Sequence, residues 1–448
     1  MSFPRYESYR DSGVEWLGAI PVEWQTRRLR VVVEIKKRIA GREGPDVLSI
    51  TQSGIRVRDT ESNDGQLAES YAHYQVVDPG DFAMNHMDLL TGWVDISDKH
   101  GVTSPDYRVF SLRKDADLAP RYLLRVLQNC YSRRILYAFG QGSSQLGRWR
   151  LPTDAFQDFN IPFPPLREQE LIAAFLDSET AKIDALVEEQ QRLIERLKEK
   201  RQAVIAHAVT KGLDPNAPMK DSGIEWLGEV PAHWVVSRLK FLARVQTGVA
   251  KGKDYGGQIT ASVPYLRVAN VQDGRLDLDD VATIDLPTDE IARYLLKSGD
   301  VLMNEGGDFD KLGRGDIWRG EIVPCVHQNH VFAVRPIKVS SEWLNLFSGS
   351  AAAQFFFMSR SKQSTNLASI SSTNLMELHI LIPPAAEEDQ IHSTLRSAVA
   401  GIDELADRAA NAILLLQERR AALISAAVTG KIDVRENMDR AASEAEAA

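Results

Sequence analysis

The segment DSGVEWLGAIPVEW, residues 11–24, recurs as DSGIEWLGEVPAHW at residues 221–234, an offset of 221 − 11 = 210. A second pair of matching segments, VVDPGDFAMN at 76–85 and LLKSGDVLMN at 295–304, is offset by 295 − 76 = 219. The offset of 219 then recurs to the end, where Pro164-Pro165 matches Pro383-Pro384, Ile183-Asp184 matches Ile402-Asp403, and Val209-Thr210 matches Val428-Thr429. We conclude that one unit of about 210 residues is written twice, with nine residues (219 − 210) gained in the second copy.

Each copy has two parts with different sequence patterns. From Leu29 to about Pro164, short mixed runs such as VLSI, YQVV and YRVF are separated by Gly, Pro, Asn and Asp and accompanied by helical pieces such as RYLLRVLQNCYSRRIL. This pattern is typical of an α+β domain. After the double proline, no Pro or Gly occurs until Gly212, and Glu, Lys, Arg, Leu and Ala predominate. The second part is therefore predicted to be one long helix.

Mostly apolar residues recur every seven positions along both predicted helices, which indicates a packing face. In the first helix these are Leu176, Ile183, Gln190, Leu197 and Val204, widened by Leu186, Val187, Leu193 and Ile194. In the second they are Leu395, Ile402, Ala409, Leu416 and Leu423. Each helix of about 40 residues would span roughly 60 Å. We expect the helices to pair antiparallel, because two separate apolar stripes would leave large exposed patches; the alternative is that each helix packs only on its own domain.

The tryptophans of the repeated motif allow two interpretations. Trp16 and Trp24, like Trp226 and Trp234, could be core anchors or platforms on which bases stack. Their identical spacing in both copies favours core anchors, in a segment that docks each domain onto a helix. The last residues, RAASEAEAA, are small and charged, and we expect them to be disordered.

Size and composition predict a cytoplasmic protein with more than one domain. The chain has 448 residues, of which 44% are hydrophobic and 26% charged, and this length exceeds what one core of ordinary size requires. No run of about 18 apolar residues could span a bilayer, and MSFPRYESYR lacks the apolar stretch of a secretory signal. Cys130 and Cys325 show no paired metal-ligand spacing and suit a reducing compartment.

The net charge of −9 argues at first against a nucleic-acid partner, because phosphate contacts need Lys and Arg. The distribution weakens this objection. Residues 25–160 carry 19 Lys+Arg and 17 Asp+Glu, residues 235–379 carry 16 of each, and the remainder carries 18 against 29. The acidic excess therefore lies outside two nearly neutral blocks, each of which could still present a basic face.

The usual signatures of an enzyme are absent from the sequence. GVAKGKD at 248–254 lacks the spacing of a phosphate-binding loop, and NIPFPP at 160–165 lacks the Asn-Pro-Pro order of adenine methyltransferases. Cys325, His327 and His330 lie close together in CVHQNH, but the first copy has no counterpart, so a strand edge or groove-facing loop is preferred to a zinc site. Glu34 and Lys36 lack the preceding acid of a nuclease motif. We predict a non-catalytic protein with no metal site.

The whole pattern resembles the specificity (S) subunit of type I restriction-modification systems. The most specific elements are the paired Trp motifs, the junctions IPFPPLREQELIAAFL and ILIPPAAEEDQIHSTL, and the helix ends AVIAHAVTKGLD and ALISAAVTGKID. The likeness implies an α+β fold with two target-recognition domains in pseudo-twofold tandem repeat, each followed by a long spacer helix. It places the first Trp motif and recognition domain at 1–163, the first helix at 164–212, the second motif and domain at 213–382, the second helix at 383–432 and a tail at 433–448.

The resemblance also implies a function and partners. Each recognition domain would read one half of a split, asymmetric site in double-stranded DNA, and the helices would act as a ruler between them. Two modification (methyltransferase) subunits and usually two restriction subunits would assemble around the chain. No cofactor would bind the chain itself; S-adenosylmethionine would belong to the modification subunit, and ATP and Mg to the restriction subunit.

Candidates for base contact lie on polar, Gly-bearing loops, since Arg pairs with guanine and Asn or Gln with adenine. In the first copy they are Gln52, Arg56, Arg58, Gln141, Ser143, Ser144, Gln145 and Arg148; in the second they are Arg267, Asn270, Lys311, Arg314, Arg319, Lys362, Gln363 and Asn366. GQGSSQLGRW and SRSKQSTNL occupy equivalent places in the two copies and rank first. The alternative, which the acidic net charge favours, is a coiled-coil adaptor that binds proteins and has no DNA role.

Overall fold

The computed structural model describes residues 3–60, 68–142, 149–252, 255–307, 312–363 and 368–435. The chain divides into two compact units, one formed by Met1–Gln191 with Asn411–Ala448 and the other by Arg192–Ala410. Each unit contains one α+β domain together with a part of each long helix. Each unit therefore combines segments that are distant in sequence. The first unit contains the start of the first long helix and the end of the second, and the second unit contains the end of the first long helix and the start of the second.

The two domains are built on the same four-stranded antiparallel sheet. In the first domain its order is β4 (Val33–Lys36), β11 (Arg108–Leu112), β8 (Phe82–Met84) and β9 (Val94–Ile96). In the second it is β18 (Ala243–Thr247), β27 (Val331–Pro336), β23 (Val301–Asn304) and β25 (Gly315–Ile317). The register corrects one expectation: Phe82 pairs with Phe110, whereas Val301 pairs with Val334, so the offset at β11 and β27 is 334 − 110 = 224 and not 219.

Two short antiparallel pairs frame each sheet. The Trp motif forms β1 (Tyr9–Asp11) with β2 (Ala19–Pro21) and β15 (Met219–Asp221) with β16 (Glu229–Pro231). The start and end of each domain are joined by β3 (Gln25–Arg28) with β14 (Asn160–Phe163) and by β17 (Val235–Arg238) with β30 (His379–Ile382). The segments that precede the double prolines are thus strands that close the domains.

The remaining strands differ between the copies. The first domain adds β5 (Leu48–Thr51) paired with β6 (Gly54–Val57), β7 (Gln75–Val77) with β10 (Gly101–Thr103), and β12 (Gln141–Gly142) with β13 (Trp149–Arg150). The second adds β19 (Thr260–Leu266), β22 (Ala282–Pro287) and β26 (Val326–His327) as one sheet, β20 (Val271–Gln272) with β21 (Arg275–Leu276), and β24 (Gly306–Gly307), β29 (Ala368–Ser369) and β28 (Lys362–Gln363) as another.

Short helices cover the sheets. They are α1 (Leu29–Val32), α2 (Pro120–Ser132), α3 (Thr153–Asp158), α5 (Ile291–Tyr294), α6 (Ser341–Ser348), α7 (Ala351–Arg360) and α8 (Ser372–Met376), with 3-10 turns at Ile135–Phe139, Leu239–Phe241 and Val268–Asn270. Aromatic residues fill the cores beneath them: Phe82 stacks on Phe110 at 4.9 Å in the first domain, and Trp234 meets Trp343 edge to face at 5.8 Å in the second.

The long helices are α4 (Leu166–Lys211) and α9 (Ala385–Val428). Both begin directly after a double proline, and both carry glutamate in the first turn, where it complements the positive end of the helix dipole. α4 ends at Lys211 and is followed by Gly212, whose φ of 76° is the left-handed conformation that commonly terminates a helix. The sequence predicted these bounds to within a few residues.

The helices contribute to one core in each unit. In the first unit, Leu176 and Ile183 of α4 share a core with Leu423 and Ala427 of α9. In the second, Ile205 and Val209 of α4 share a core with Ile391 and Leu395 of α9. An early residue of α4 therefore meets a late part of α9, and a late residue of α4 meets an early part of α9. The predicted antiparallel pairing is confirmed.

Two equivalent ion pairs join the helices. Asp184 and Arg420 are 3.0 Å apart in the first unit, and Arg201 and Asp403 are 3.2 Å apart in the second. Both residues of the first pair are 219 positions from their counterparts in the second, since 403 − 184 = 420 − 201 = 219. The offset of 219 residues found in the sequence therefore relates the two ion pairs as well as the residue types.

The Trp motif docks each domain onto a long helix, as predicted. Trp24 and Trp234 are buried, and their indole N–H groups donate to Glu168 at 3.1 Å and to Glu387 at 3.0 Å, in the first turns of α4 and α9. The half-buried Trp16 stacks on Phe159. The tryptophans are core anchors and not exposed stacking platforms.

Two expectations need correction. Leu186 and Leu193, assigned to the apolar stripe, are 45% and 41% exposed, because they lie beside the seven-residue row that turns inward. The tail predicted from residue 433 begins with ordered residues: Val434 is fully buried, and the Asp433 N–H donates to the Pro4 carbonyl at 2.8 Å. Residues 436–448 lie outside the described range.

Cys130 and Cys325 are buried and not joined in a disulfide, and burial raises the pKa of both thiols. Both cysteines are therefore core residues.

Within the described part of the chain, no helix is long and apolar enough to cross a membrane.

Candidate nucleic-acid interface

The first predicted loop is the β5–β6 hairpin. Gln52 lies exposed in its two-residue turn and Arg56 is exposed on β6, opposite Ser49. The other face of the hairpin places Leu48, Ile50 and Ile55 in a small core. Because side chains alternate between the two faces of a strand, this buried row directs Arg56 outward. Arg58 follows the hairpin, is half-buried, and donates its backbone N–H to the Val47 carbonyl.

The two loops ranked first are both β-hairpins. GQGSSQLGRW connects β12 with β13, and SRSKQSTNL connects β28 with β29. Their second strands, Trp149–Arg150 and Ala368–Ser369, are 368 − 149 = 219 residues apart. The structure thus supports their predicted equivalence. Of the candidate residues in these loops, Gln141, Lys362 and Gln363 are exposed on the first strands; Ser143, Ser144, Gln145, Arg148 and Asn366, and Lys311 of another loop, lie outside the described residues.

An aromatic support holds the first hairpin. Trp149 stacks on Tyr137 at 5.1 Å and donates its indole N–H to the Tyr137 carbonyl at 2.7 Å. A side chain at Gly140 would collide with the Trp149 ring, with its Cβ only 2.3 Å from the indole nitrogen. This close approach requires glycine and fixes the hairpin to the end of the preceding helical turn.

A buried arginine, which sequence reasoning missed, lies at the base of the same hairpin. Arg108 is 4% exposed, donates to the Leu151 carbonyl at 3.2 Å and lies over the Phe156 ring at 4.4 Å. Burial lowers its pKa to about 10, so it remains cationic at neutral pH. Burial and the Arg108 charge together lower the pKa of His86 to about 3 and keep that imidazole neutral. Only the fold brings these two residues together, so no local motif could have revealed them.

The candidates around Arg267 are engaged within the chain. Asn270 is 3% exposed; its side-chain oxygen accepts the Arg267 N–H, and its amide nitrogen donates to the Asp277 and Asp280 carbonyls. Such a side chain has no free donor or acceptor pair to offer a base, so we assign Asn270 to the fold and leave it out of the interface. Arg267 itself forms an ion pair with Asp280 at 2.9 Å.

Two further arginines flank β25. Arg319 is exposed and lies 3.6 Å from Asp316, and its backbone N–H donates to Glu321 at 3.0 Å. Arg314 is half-buried, and its carbonyl accepts the Asn304 N–H at 2.9 Å. The two residues therefore lie at opposite ends of β25, Arg314 directly before it and Arg319 two residues after it, and both are away from the β28–β29 hairpin in sequence.

The CVHQNH segment forms strand structure, as preferred from sequence. His327 lies in β26, is fully buried, and is hydrogen-bonded through Nδ1 to the Val331 carbonyl at 2.7 Å, while burial lowers its pKa. His330 contacts Glu305 at 2.8 Å. Among the residues that the structure describes, no group of three or more His, Cys, Asp or Glu side chains is arranged to hold a metal ion.

Part of the chain matches a known protein family. Residues 21–196 match the family model described as "Type I restriction modification DNA specificity domain". This stretch covers the first domain with β3, β14 and most of α4, and it includes the junction and the β5–β6 and β12–β13 hairpins.

Two curated relatives are similar over about two thirds of the chain. The type I restriction enzyme EcoKI specificity subunit of Escherichia coli K12 is 25% identical over 307 residues, which is 66% of this chain and 63% of the relative. The StySPI specificity subunit of Salmonella potsdam is 23% identical over 325 residues, or 72% of this chain and 67% of the relative. The matched stretch thus spans about two thirds of each relative's length.

Solved structures share the fold. A chain from a study of complex assembly and conformational transition of the type I R-M system has a TM-score of 0.66 at 16% identity, covering 91% of this chain and 98% of that chain. The HsdS subunit from Thermoanaerobacter tengcongensis has a TM-score of 0.50 at 15% identity, covering 92% and 98%. At this identity the likeness shows that the two α+β domains and long helices form a known architecture.

Proposed function

We propose that this chain, as a member of the family of type I restriction-modification specificity subunits, directs its complex to a bipartite, asymmetric DNA site. Each α+β domain, here called a recognition domain, reads one half of the site. The observation that carries this proposal is the combination of a shared frame with unlike loops. The main sheets, domain closures and helix junctions coincide in both copies, whereas the arrangement of the additional strands and the sequences of the exposed hairpins differ.

The exposed hairpins have the chemistry that reading DNA requires. Gln52, Arg56 and Gln141 in the first domain, and Lys362 and Gln363 in the second, present amide and cationic groups to solvent from short, supported strands. Side chains of these types can pair with base edges in the major groove. We also keep as proposed contacts the residues with other or undescribed surroundings: Arg58, Ser143, Ser144, Gln145, Arg148, Arg267, Lys311, Arg314, Arg319 and Asn366.

Specificity subunits are non-catalytic, and this chain is a non-catalytic member of its complex. Methylation therefore falls to modification subunits that carry S-adenosylmethionine, and cleavage to restriction subunits that use ATP and Mg. We propose two copies of each around one chain, in the cytoplasm. The duplication supports a pair of equivalent docking places, since Leu186 and Leu405 occupy matching positions on α4 and α9 and are 45% and 50% exposed.

The test is a map of methylated bases in host DNA with and without this gene. We expect adenine methylation in a split motif that disappears on deletion and returns when the wild-type gene is supplied. Deletion of the gene for a partner methyltransferase should remove the same motif, which serves as the matched control. A methylation pattern that does not change on deletion would contradict the proposal and favour the protein-binding adaptor.

A further inference from the structure

An open cleft of about 460 Å³ lies in the second recognition domain, beside the edge strand β18. Residues 244–247 of β18 form one wall, and Arg293, Lys297 and Arg335 complete the lining. Four of the lining side chains are cationic, and none is acidic. They come from β18, α5, the turn before β23 and β27, so the fold assembles them from distant parts of the sequence.

One of the four cations is held in place by a buried carboxylate. Asp300 accepts two hydrogen bonds from Arg335, from Nε at 2.7 Å and from Nη2 at 2.6 Å, and Asp300 is fully buried. This bidentate pair fixes the plane of the guanidinium. The remaining nitrogen, Nη1, makes no hydrogen bond to the residues that the structure describes, and so stays available as a donor.

The other three cations are not neutralised. Arg244, Arg293 and Lys297 are exposed, and none forms an ion pair with a carboxylate in the described ranges of the chain. Arg293 lies beside the Tyr294 ring at 5.4 Å, which restricts its side chain without compensating its charge. The cleft therefore concentrates positive charge on one side of a domain that has no net charge between residues 235 and 379.

The first recognition domain carries opposite charges at the corresponding places. Arg244 corresponds to Glu34 at the offset of 210, and Lys297 corresponds to Asp78 at the offset of 219. Glu34 pairs with Lys36 at 2.7 Å, and Asp78 pairs with Arg38. Both domains form the same sheet with these opposite charges, so the fold does not require cations here. A ligand that only the second domain binds would explain them.

We propose that this cleft holds a phosphodiester group of the DNA bound by the second recognition domain. The inference rests on the proposed function and adds to it a backbone contact that the first domain lacks at the equivalent place. Guanidinium groups match phosphate oxygens in shape and charge, and an exposed lysine adds a mobile point charge. Contacts of this kind position a protein on the duplex and carry no sequence information.

The two half-sites are then held unequally. The second domain gains affinity that depends on salt and not on sequence, because each neutralised phosphate releases condensed counterions. The first domain, with Glu34 and Asp78 at this position, relies on its hairpins. The chain thus combines one domain that binds a DNA phosphate in this cleft with one domain that does not bind a phosphate at the equivalent place.

The test uses the full-length chain with its modification subunit and two duplexes, one with the methylated motif and one with a scrambled sequence. R244E and K297D introduce the residue types of the first domain, and R396E, an exposed arginine of α9, controls for the loss of positive charge. We expect R244E and K297D to weaken binding to both duplexes about tenfold at low salt. The slope of log K against log salt should fall by about 0.9 for each lost contact, while R396E keeps the wild-type slope.

Several outcomes overturn the inference. If R244E and K297D retain the wild-type salt slope, the cleft makes no phosphate contact and the inference fails. If these variants lose affinity only for the duplex with the motif, the result indicates a base contact and the inference also fails. R244Q and K297A, with melting curves followed by circular dichroism, separate these results from misfolding. If the wild-type complex binds both duplexes equally, the proposed function fails, yet the change in salt slope still decides whether the cleft binds phosphate.

Discussion

Glu168 and Glu387 occupy the same place in the two copies, and each accepts the indole N–H of a buried tryptophan. Their other partners differ. Glu168 also accepts the Tyr6 hydroxyl at 2.5 Å, whereas Glu387 contacts His233 at 2.7 Å. Burial raises the pKa of Glu168 above its ordinary value, although the hydrogen bonds from Tyr6 and Trp24 oppose this rise. One repeated position has thus acquired two different polar surroundings.

The raised pKa of Glu168 predicts how the stability of the fold depends on pH. A carboxyl whose pKa is higher in the folded state stabilises the fold fully below its unfolded pKa, and this contribution is lost as the pH rises through the folded pKa. Glutamine keeps an oxygen acceptor for Tyr6 and Trp24 but cannot ionise. We therefore expect the melting temperature of Glu168→Gln, relative to wild type, to rise between pH 4 and pH 8. Glu170→Gln, exposed on the same helix, is the control; a difference that does not vary with pH would refute the argument.

At the scale of elements, the long helices are joined mainly by apolar packing. Leu176 of α4 and its counterpart Leu395 of α9 are 0% and 4% exposed. The ion pairs Asp184–Arg420 and Arg201–Asp403 lie at the surface, where the aspartate side chains are 58% and 54% exposed. Solvent screens such pairs, so their contribution to stability is small compared with that of the buried rows.

This difference can be measured by urea unfolding. Leu176→Ala should lower the free energy of unfolding by about 2–5 kcal/mol, because it removes a buried side chain and leaves a cavity. Leu395→Ala is the equivalent change in the second unit and should have an effect of the same order. Arg420→Ala should cost less than about 1 kcal/mol. A larger loss for Arg420→Ala than for Leu176→Ala would show that the ion pairs dominate.

At the scale of the whole molecule, the duplication separates conserved structure from diverged structure. The Trp motif, the main sheet, the closing strands and the ion pairs between the helices recur in both copies. The strands added to each main sheet do not recur in the same arrangement, and Arg244 and Lys297 of the cleft beside β18 correspond to acidic residues in the first copy. Divergence is therefore concentrated in the parts that the proposed function assigns to DNA.

Exchange of one domain should change one half of the recognised site. Replacing residues 25–160 by the equivalent segment of a relative with a different motif should alter one half of the methylated sequence and leave the other half intact. Replacing residues 235–379 is the matched exchange and should alter the other half. Methylation mapping reads both results. Simultaneous change of both halves by either exchange would show that the domains do not read DNA independently.

Several features were determined by the sequence alone. The duplication, the bounds of α4 and α9 and the burial of Trp24 and Trp234 could all be predicted. The physical reason is that prolines, glycines and a seven-residue period act on the neighbouring backbone, whatever lies far away in the chain. The equivalence of the β12–β13 and β28–β29 loops followed from the repeat in the same way.

Other features were decided only by tertiary structure. The exposure of Leu186 and the ordering of Val434 depend on residues that are distant in sequence. The cleft of Arg244, Lys297 and Arg335 exists because β18 and β27 pair in one register and the turn before β23 lies beside them. Local patterns cannot specify such pairings, since burial and charge compensation are set by neighbours that only the folded chain brings together.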